Sequence, residues 1–263
     1  MEKREIQKRA EAMGQINITY PIGKSSGIAV YDNVFDTGFL DNLLFALSED
    51  FQTLFSPGPT LGGVDPFIKL CSDTNFMHPE CYVPEMRNFD IYFESHRHIR
   101  HQLWSCVVEY IQEHRHLQGA PNVDITGSRI QRYSRNAGWY REHCDGHPWI
   151  PATAEHPNRI LAIVAYLNTV NEGGGTIFPM HDYVSDAVAG RVVVFPTTWQ
   201  FPHSGAVPLS GDKWIISSFV TTRYDAVSVF PFELNPGGVS SQVDGLNDDG
   251  FVYPAETKTE DDK

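Results

Sequence analysis

Two histidines and one aspartate have the types and spacing of a metal site. His143 and Asp145 are two residues apart in a segment of extended character, so their side chains point to the same face. A distant residue, His203, completes a 2-His-1-carboxylate set, which holds Fe(II) and leaves coordination positions open. An HxD pair alone often occurs by chance, so the interpretation depends on the residues around it.

Lys213 supports the metal interpretation, because it follows His203 after a turn. Pro208 and Gly211 lie between the two and predict a hairpin, which would place the lysine on the order of 10–13 Å from the histidine. A five-carbon dicarboxylate that chelates the metal and meets a lysine spans about that distance. We therefore expect Lys213 to pair with the far carboxylate of 2-oxoglutarate. A charge at the start of the apolar run 214–216 otherwise has no evident reason.

Further motifs follow each other in a recognisable order. They are Tyr133, Gly138-Trp139-Tyr140, His143-Cys144-Asp145, Tyr166-Leu167-Asn168, Glu172–Pro179, Phe201–Gly205 and Lys213. With them the sequence resembles the prolyl 4-hydroxylase-type Fe(II)/2-oxoglutarate dioxygenases over about residues 125–222, and more weakly over 28–52. The resemblance implies a double-stranded β-helix, in which two antiparallel sheets form a jelly roll around the metal.

The resemblance also implies roles for individual residues. His143, Asp145 and His203 would bind iron, and Lys213 would hold the C5 carboxylate of 2-oxoglutarate; these four are the catalytic residues. Tyr166, Tyr133 and Ser217 would complete the cosubstrate pocket. Related halogenases lack the carboxylate ligand, so the presence of Asp145 favours hydroxylation. The implied cofactors are Fe(II), 2-oxoglutarate and O2, with ascorbate as a reductant.

Substrate contacts are harder to assign. Aromatic and basic residues flank the motifs and could line a peptide groove: Tyr140, Arg135, Trp149 and Trp199. Packing at the rim of the barrel explains the same residues equally well. The long Pro- and Gly-rich segment 56–86 could close over an extended peptide.

The periodicity of the chain indicates the elements that must position these residues. Asp36 or Thr37 caps a helix whose apolar stripe includes Leu40, Leu43 and Leu47, and a second helix is predicted over 95–117. Short strands rich in β-branched residues follow at Ile125–Tyr133, Arg159–Asn168, Thr176–Phe178, Arg191–Phe195 and Lys213–Thr222. Helices before strands predict an α+β fold, a jelly-roll core with N-terminal supporting helices.

The predicted organisation is a single domain with two appendages. Residues 1–27 form an N-terminal arm, and 28–232 form the dioxygenase domain, with helical support over 28–124 and the jelly-roll core over 125–225. Residues 233–263 form an acidic tail.

Charge and composition exclude several classes of function. The formal net charge of −13 disfavours binding to nucleic acid. The sequence shows no apolar run that could span a membrane, no signal peptide, and no CxxC pair among its four cysteines. We therefore expect a cytoplasmic protein with no membrane partner; the sequence leaves the oligomeric state open.

The predicted function is hydroxylation of an unactivated C–H, most simply that of a peptidyl proline, with release of succinate and CO2. A peptide or protein is then the expected partner. Two alternatives remain at this point: a hydroxylase of a free amino acid or other small molecule, and a non-catalytic jelly roll that only binds a ligand.

Overall fold

The computed structural model describes residues 17–60, 62–76, 88–117, 123–146 and 158–222. The first part of the predicted arm, the acidic tail at 233–263, Trp149 and part of the segment 56–86 lie outside these ranges.

Helices precede most of the strands, as the sequence predicts. The α-helices of the described residues are α1 (Thr37–Glu49), α2 (Phe51–Leu54) and α3 (Phe89–Glu113), and 3-10 turns lie at Lys24–Ser26, Arg115–Leu117 and Pro179–His181. The Asp36 side chain caps α1 by accepting a hydrogen bond from the backbone N–H of Phe39 at 2.8 Å. Within the described ranges, no helix combines the length and the apolar character that crossing a membrane requires.

Helix α3 differs from its predicted bounds of 95–117. It begins earlier because Tyr92 is buried against α1. The Tyr92 hydroxyl lies 2.8 Å from each of two acceptors, the Ala46 carbonyl oxygen and the Asp50 carboxylate. It ends earlier because the His114 ring bonds back to the Tyr110 carbonyl at 2.8 Å and a 3-10 turn replaces the last predicted turn.

The strands are antiparallel to their neighbours and form two sheets. In chain order they are β1 (Asn17–Thr19), β2 (Ala29–Asp32), β3 (Ser56–Pro57), β4 (Lys69–Leu70), β5 (Ser72–Phe76), β6 (Val123–Ile125), β7 (Ser128–Tyr133), β8 (Trp139–His143), β9 (Asn158–Tyr166), β10 (Thr176–Phe178), β11 (Tyr183–Ser185), β12 (Val192–Pro196), β13 (His203–Gly205) and β14 (Lys213–Thr222). The major sheet has the order β1-β2-β12-β9-β14-β7-β5-β3, with β6 also paired to β14. The minor sheet has the order β11-β10-β13-β8-β4.

The two faces of the major sheet have different partners. One face packs on α1 and α3 through buried residues that include Leu43, Leu103 and Ile216. The other face meets the minor sheet through a second apolar cluster that includes Val164 and Phe195. Two antiparallel sheets packed around an interior, with helices outside, confirm the predicted double-stranded β-helix with supporting helices.

The hairpin predicted between His203 and Lys213 is wrong. β13 pairs with β10 and β8 in the minor sheet, whereas β14 pairs with β9, β7 and β6 in the major sheet. The connection 206–212 therefore crosses from one sheet to the other. Lys213 on β14 still faces β13, which carries His203. The two strands face each other across the space between the sheets and are not hydrogen-bonded neighbours.

The segment before the core supplies strands as well as helices. β1, within the predicted arm, pairs with β2. β4 and β5 form one extended stretch that leaves the minor sheet after Leu70 and enters the major sheet at Ser72, paired first with β8 and then with β7. This stretch, residues 69–76, is called the crossing strand below. It closes one end of the space between the sheets.

Candidate metal and cosubstrate site

The three predicted metal ligands meet at one end of the interior. His143 ends β8, Asp145 lies in the bend that follows, and His203 begins β13, where it is paired with His143. One Asp145 oxygen lies 3.4 Å from the Nε2 atom of His143, and the other lies 3.3 Å from the Nε2 atom of His203. The ligand atoms of all three lie within 4.8 Å of one another. One ion could contact all three.

Backbone carbonyls orient both imidazole rings. The Nδ1 atom of His143 lies 2.8 Å from the Arg141 carbonyl oxygen, and that of His203 lies 3.1 Å from the Phe201 carbonyl oxygen. A carbonyl only accepts, so each Nδ1 carries a proton and each Nε2 is the atom that faces Asp145. That Nε2 can hold a second proton beside the carboxylate or, once the proton is lost, bind a metal.

The electrostatics of this trio favour a cation. Burial opposes ionisation of Asp145, but the two imidazoles beside it outweigh burial and hold its pKa well below the usual range. Burial also opposes charging of His203, and the Asp145 carboxylate reverses this effect and raises the His203 pKa. A carboxylate kept ionised between two nitrogen donors has the charge and ligand types of an Fe(II) centre.

A β-bulge brings Tyr140 to the same face as the metal ligands. The register pairs His203 with His143 but Gly205 with Tyr140, so β8 contains one extra residue in this interval. The extra residue restores Tyr140 to the interior face, where its ring stacks on the ring of His143 with centroids 3.8 Å apart. Tyr140 is therefore an inner wall of the site rather than a residue of the outer rim.

Lys213 lies deeper in the interior and is 2% exposed. Its ammonium sits 4.4 Å from the centre of the Tyr133 ring and donates to the Ala206 carbonyl at 3.3 Å. Burial lowers its pKa from 10.5 to about 8. Among the residues that the structure describes, no carboxylate pairs with this ammonium. A buried cation without a counter-ion indicates a pocket for an anion.

Tyr133 and Ser217 flank the lysine on the major sheet. Tyr133 is paired with Lys213, and its hydroxyl donates to the Gln131 side chain at 2.9 Å. The same glutamine amide donates to the Ser217 hydroxyl at 3.2 Å. Gln131 therefore links Tyr133 to Ser217. That these two residues contact 2-oxoglutarate remains a prediction.

The Tyr166 hydroxyl bridges the two sheets. It lies 2.7 Å from the Thr176 hydroxyl and donates to the Ser185 carbonyl at 3.2 Å, whereas the residue itself belongs to β9. Its ring lies on the face that Lys213 shares, because Tyr166 is paired with Ile215. The predicted contact with 2-oxoglutarate remains a prediction, since the hydroxyl has protein partners in this structure.

The remaining predicted substrate contacts are not brought together. The Arg135 side chain donates to the Leu209 carbonyl at 2.7 Å, and its backbone N–H donates to Asp212 at 2.7 Å, so it braces the connection before Lys213. Trp199 is 65% exposed on the turn before β13. Trp149 lies outside the described residues, and the three roles stay predictions.

The structure adds Arg159, which the sequence interpretation did not single out. Its guanidinium lies 3.8 Å from the centre of the Phe219 ring. Burial lowers its pKa, and the neighbouring Asp145 carboxylate opposes that shift. The sequence did contain a signal for Arg159. Like Lys213, Arg159 is a charged residue at the start of an apolar strand, here residues 160–166.

A second missed group is the polar cluster on the crossing strand. Lys69 and Asp73 are both buried, and the Asp73 carboxylate contacts Lys69 at 3.4 Å, Gln131 at 3.1 Å and Arg129 at 2.6 Å. Their sequence lies in a Pro- and Gly-rich stretch, which gives no indication that it crosses the interior.

The site fits an iron ion and a dicarboxylate cosubstrate. The Nε2 lone pairs and the ionised Asp145 supply the donor set, and the unpaired Lys213 ammonium supplies the charge that a distal carboxylate needs. With three protein ligands, an iron ion held here would keep coordination positions open for a chelating keto acid and for O2.

Comparison with known families gives an independent result. Residues 128–221 match the profile of the 2OG-Fe(II) oxygenase superfamily. The matched range contains His143, Asp145, His203 and Lys213. No curated protein matches the chain.

Solved structures share the fold. A viral collagen prolyl hydroxylase from Paramecium bursaria Chlorella virus-1, solved with 2-oxoglutarate, has a TM-score of 0.52 at 15% identity, over 76% of this chain and 98% of its own. A Trichoplax adhaerens prolyl hydroxylase, solved with a hypoxia-inducible-factor peptide, has a TM-score of 0.55 at 16% identity, over 84% and 94%. A Pseudomonas putida prolyl 4-hydroxylase has a TM-score of 0.50 at 16% identity, over 76% and 95%.

Proposed function

The chain carries a 2-oxoglutarate-dependent Fe(II) dioxygenase domain of the 2OG-Fe(II) oxygenase superfamily, and from this premise we propose that it hydroxylates a prolyl residue of a peptide or protein. Each turnover would convert 2-oxoglutarate and O2 to succinate and CO2 and insert one oxygen atom into an unactivated C–H bond. A cytoplasmic setting is part of the same proposal.

One observation carries the oxygenase chemistry. The His143, Asp145 and His203 ligand atoms lie together at the mouth of an interior whose deeper part holds the unpaired Lys213 ammonium. A metal ligand set and a buried cation in one pocket match a cosubstrate that chelates at one end and is anionic at the other.

The residues of the chain act by binding, orienting and shielding. When bound, iron with its keto acid and O2 supplies the oxidation that protein side chains cannot perform. Asp145 would offset part of the charge of a bound Fe(II), and the carbonyls behind His143 and His203 fix their rings. Lys213 would anchor the distal carboxylate, and the buried rings of Phe178 and Phe195 pack in the apolar interior between the sheets.

The proposal that the substrate is a prolyl residue rests on similarity of fold. Structures that share this fold include prolyl hydroxylases, one of them solved with a peptide fragment. On this chain, the exposed Trp199 lies four residues before the ligand His203 in the sequence, and an exposed aromatic ring is a surface that a peptide could contact.

The first experiment tests the site before any substrate. Fe(II) and 2-oxoglutarate are added without oxygen to metal-free protein, and the weak visible charge-transfer band of a chelated keto acid is recorded. We expect the band in wild type and in Lys24→Ala, a matched surface lysine. His203→Ala should abolish it, and Lys213→Ala should require a much higher 2-oxoglutarate concentration.

The second experiment tests the substrate. Succinate and hydroxylated product are measured with oxygen present and with proline-containing peptides, free proline or other free amino acids. Stimulation by peptides supports the proposal. Stimulation by a free amino acid alone would replace it with a small-molecule hydroxylase. A folded, metal-binding protein without 2-oxoglutarate turnover would indicate a non-catalytic binding module.

A further inference from the structure

The interior contains a second buried lysine that the chemistry described so far does not use. Lys69, on the crossing strand, is 5% exposed, against 2% for Lys213. A fully buried ammonium is rare in proteins because removing it from water is costly unless it gains strong partners. The question is which partner offsets that cost.

The protein partners of Lys69 are weak. Its ammonium lies 3.4 Å from the Asp73 carboxylate and 3.5 Å from the Pro59 carbonyl, both at the outer limit of a hydrogen bond. Asp73 is itself committed elsewhere, at 2.6 Å to Arg129 and 3.1 Å to Gln131. The Lys69 ammonium, with three donors, therefore retains unused capacity in the part of the chain that is described.

The backbone register directs Lys69 into the same space as Lys213. Lys69 is paired with Tyr140, and Tyr140 with Gly205, so the three share one row and one face of the minor sheet. The Lys69 ammonium lies 5.1 Å from the centre of the Tyr140 ring. A Cβ placed on Gly205 would lie 3.5 Å from the Lys213 ammonium. Lys69 and Lys213 therefore both lie beside the Tyr140–Gly205 pair.

This row lies deeper than the metal ligands. On β13 the row of Gly205 is two residues beyond His203, roughly 7 Å along the strand. The distal end of a keto acid chelated at the trio would lie at this level, where the Lys69 side chain enters. Its neighbour Cys71 contributes to this wall, since its thiol is close enough to Tyr133 for a hydrogen bond.

We propose that Lys69 is a second ammonium of the cosubstrate pocket, which binds the distal carboxylate of 2-oxoglutarate together with Lys213. The inference rests on the proposed function, because it assumes that the keto acid chelates at the metal trio. By this inference, the crossing strand binds the cosubstrate directly, although it precedes the jelly-roll core in the sequence. Asp73 then acts as the resting counter-ion of Lys69 and limits its reach when the pocket holds no ligand.

The test separates the distal carboxylate from the rest of the ligand. Dissociation constants for 2-oxoglutarate and for 2-oxopentanoate, which lacks that carboxylate, are measured without oxygen on Fe(II)-loaded wild type, Lys69→Met, Lys213→Met and Lys24→Met. Losing one charged contact should weaken 2-oxoglutarate binding about 10- to 100-fold in Lys69→Met. Binding of 2-oxopentanoate should stay within about threefold of wild type, which also shows that the variant is folded.

The possible results distinguish this inference from the proposed function. Equal affinity of wild type and Lys69→Met for 2-oxoglutarate, or equal losses for both keto acids, would each overturn the inference alone. Failure of wild type to bind either keto acid at iron would instead overturn the proposed function.

Discussion

The side-chain amide of Asn168 bonds to both peptide groups that flank Lys213. Its nitrogen donates to the Asp212 carbonyl and its oxygen accepts from the Trp214 N–H, each at 2.8 Å. β9 ends at Tyr166. Two residues later, the Asn168 side chain takes the place of a β9 backbone group and continues the hydrogen bonding to β14 beside Lys213. Arg132 holds the Asp212 carboxylate from the other side at 2.6 Å. The lysine thus begins its strand with its backbone fixed.

We expect Asn168→Ala to affect the cosubstrate more than the metal. Loss of both bonds should lower the free energy of unfolding by about 1–3 kcal/mol. The dissociation constant for 2-oxoglutarate should rise several-fold, and that for Fe(II) should stay unchanged. Thr169→Ala, which removes a single bond to the Ala189 N–H, is the control for stability without a change in affinity. Equal losses for iron and 2-oxoglutarate would contradict a positioning role.

Affinity for 2-oxoglutarate should fall as the pH rises above about 8. Burial lowers the Lys213 pKa to about 8 in the ligand-free protein, and only the ammonium form attracts the carboxylate. Below that pH the charge is present and affinity has no dependence on this group. Above it, each pH unit should weaken binding by about tenfold until the higher pKa of the complex is reached. Calorimetric titrations from pH 7 to 9.5 would measure this, and 2-oxopentanoate should show no such trend.

Gly205→Ala should impair the pocket with little effect on stability. The added methyl group would lie 3.4 Å from the Tyr140 Cβ and 3.5 Å from the Lys213 ammonium, which are ordinary contact distances. It would nevertheless occupy space beside the ammonium that a carboxylate needs. We expect a several-fold rise in the KM for 2-oxoglutarate at an unchanged melting temperature. Gly138→Ala is the contrasting case, because its methyl group would lie 2.6 Å from the Tyr133 backbone and should destabilise the fold.

Two hydroxyl deletions should separate the structural and binding roles of Tyr166. Tyr166→Phe and Thr176→Val each remove the 2.7 Å bond between the sheets and should each lower stability by about 1–2 kcal/mol. If the tyrosine hydroxyl also contacts 2-oxoglutarate, as the family resemblance implies, only Tyr166→Phe should raise its dissociation constant. Unchanged affinity in both variants would limit the hydroxyl to joining the sheets. Thermal unfolding and calorimetry on the same samples provide the comparison.

Residues whose spacing is local could be found from the sequence. The His143–Asp145 pair follows from the two-residue repeat of an extended chain, and the α1 cap and stripe follow from the helical repeat. Lys213 stood out because a charge began an apolar strand. These signals need no knowledge of which strands are neighbours.

The remaining features depend on pairings between distant strands, which the sequence does not encode locally. The predicted hairpin assumed that β13 and β14 are partners, whereas they lie in different sheets. Tyr140 reaches the inner face through a bulge that shifts the two-residue repeat. Lys69 was missed because Pro and Gly conceal a strand that is stabilised only by its pairing to β8 and β7.

The crossing strand has an evolutionary consequence. It lies outside the matched range 128–221, yet it forms one wall of the space that contains the matched lysine. The iron ligands and Lys213 are therefore encoded in one stretch of the gene, and this wall in another. If Lys69 binds the distal carboxylate as proposed, mutation of residues 69–76 would change which acids the enzyme accepts without altering the iron ligands. A fragment limited to the matched range would lack this wall.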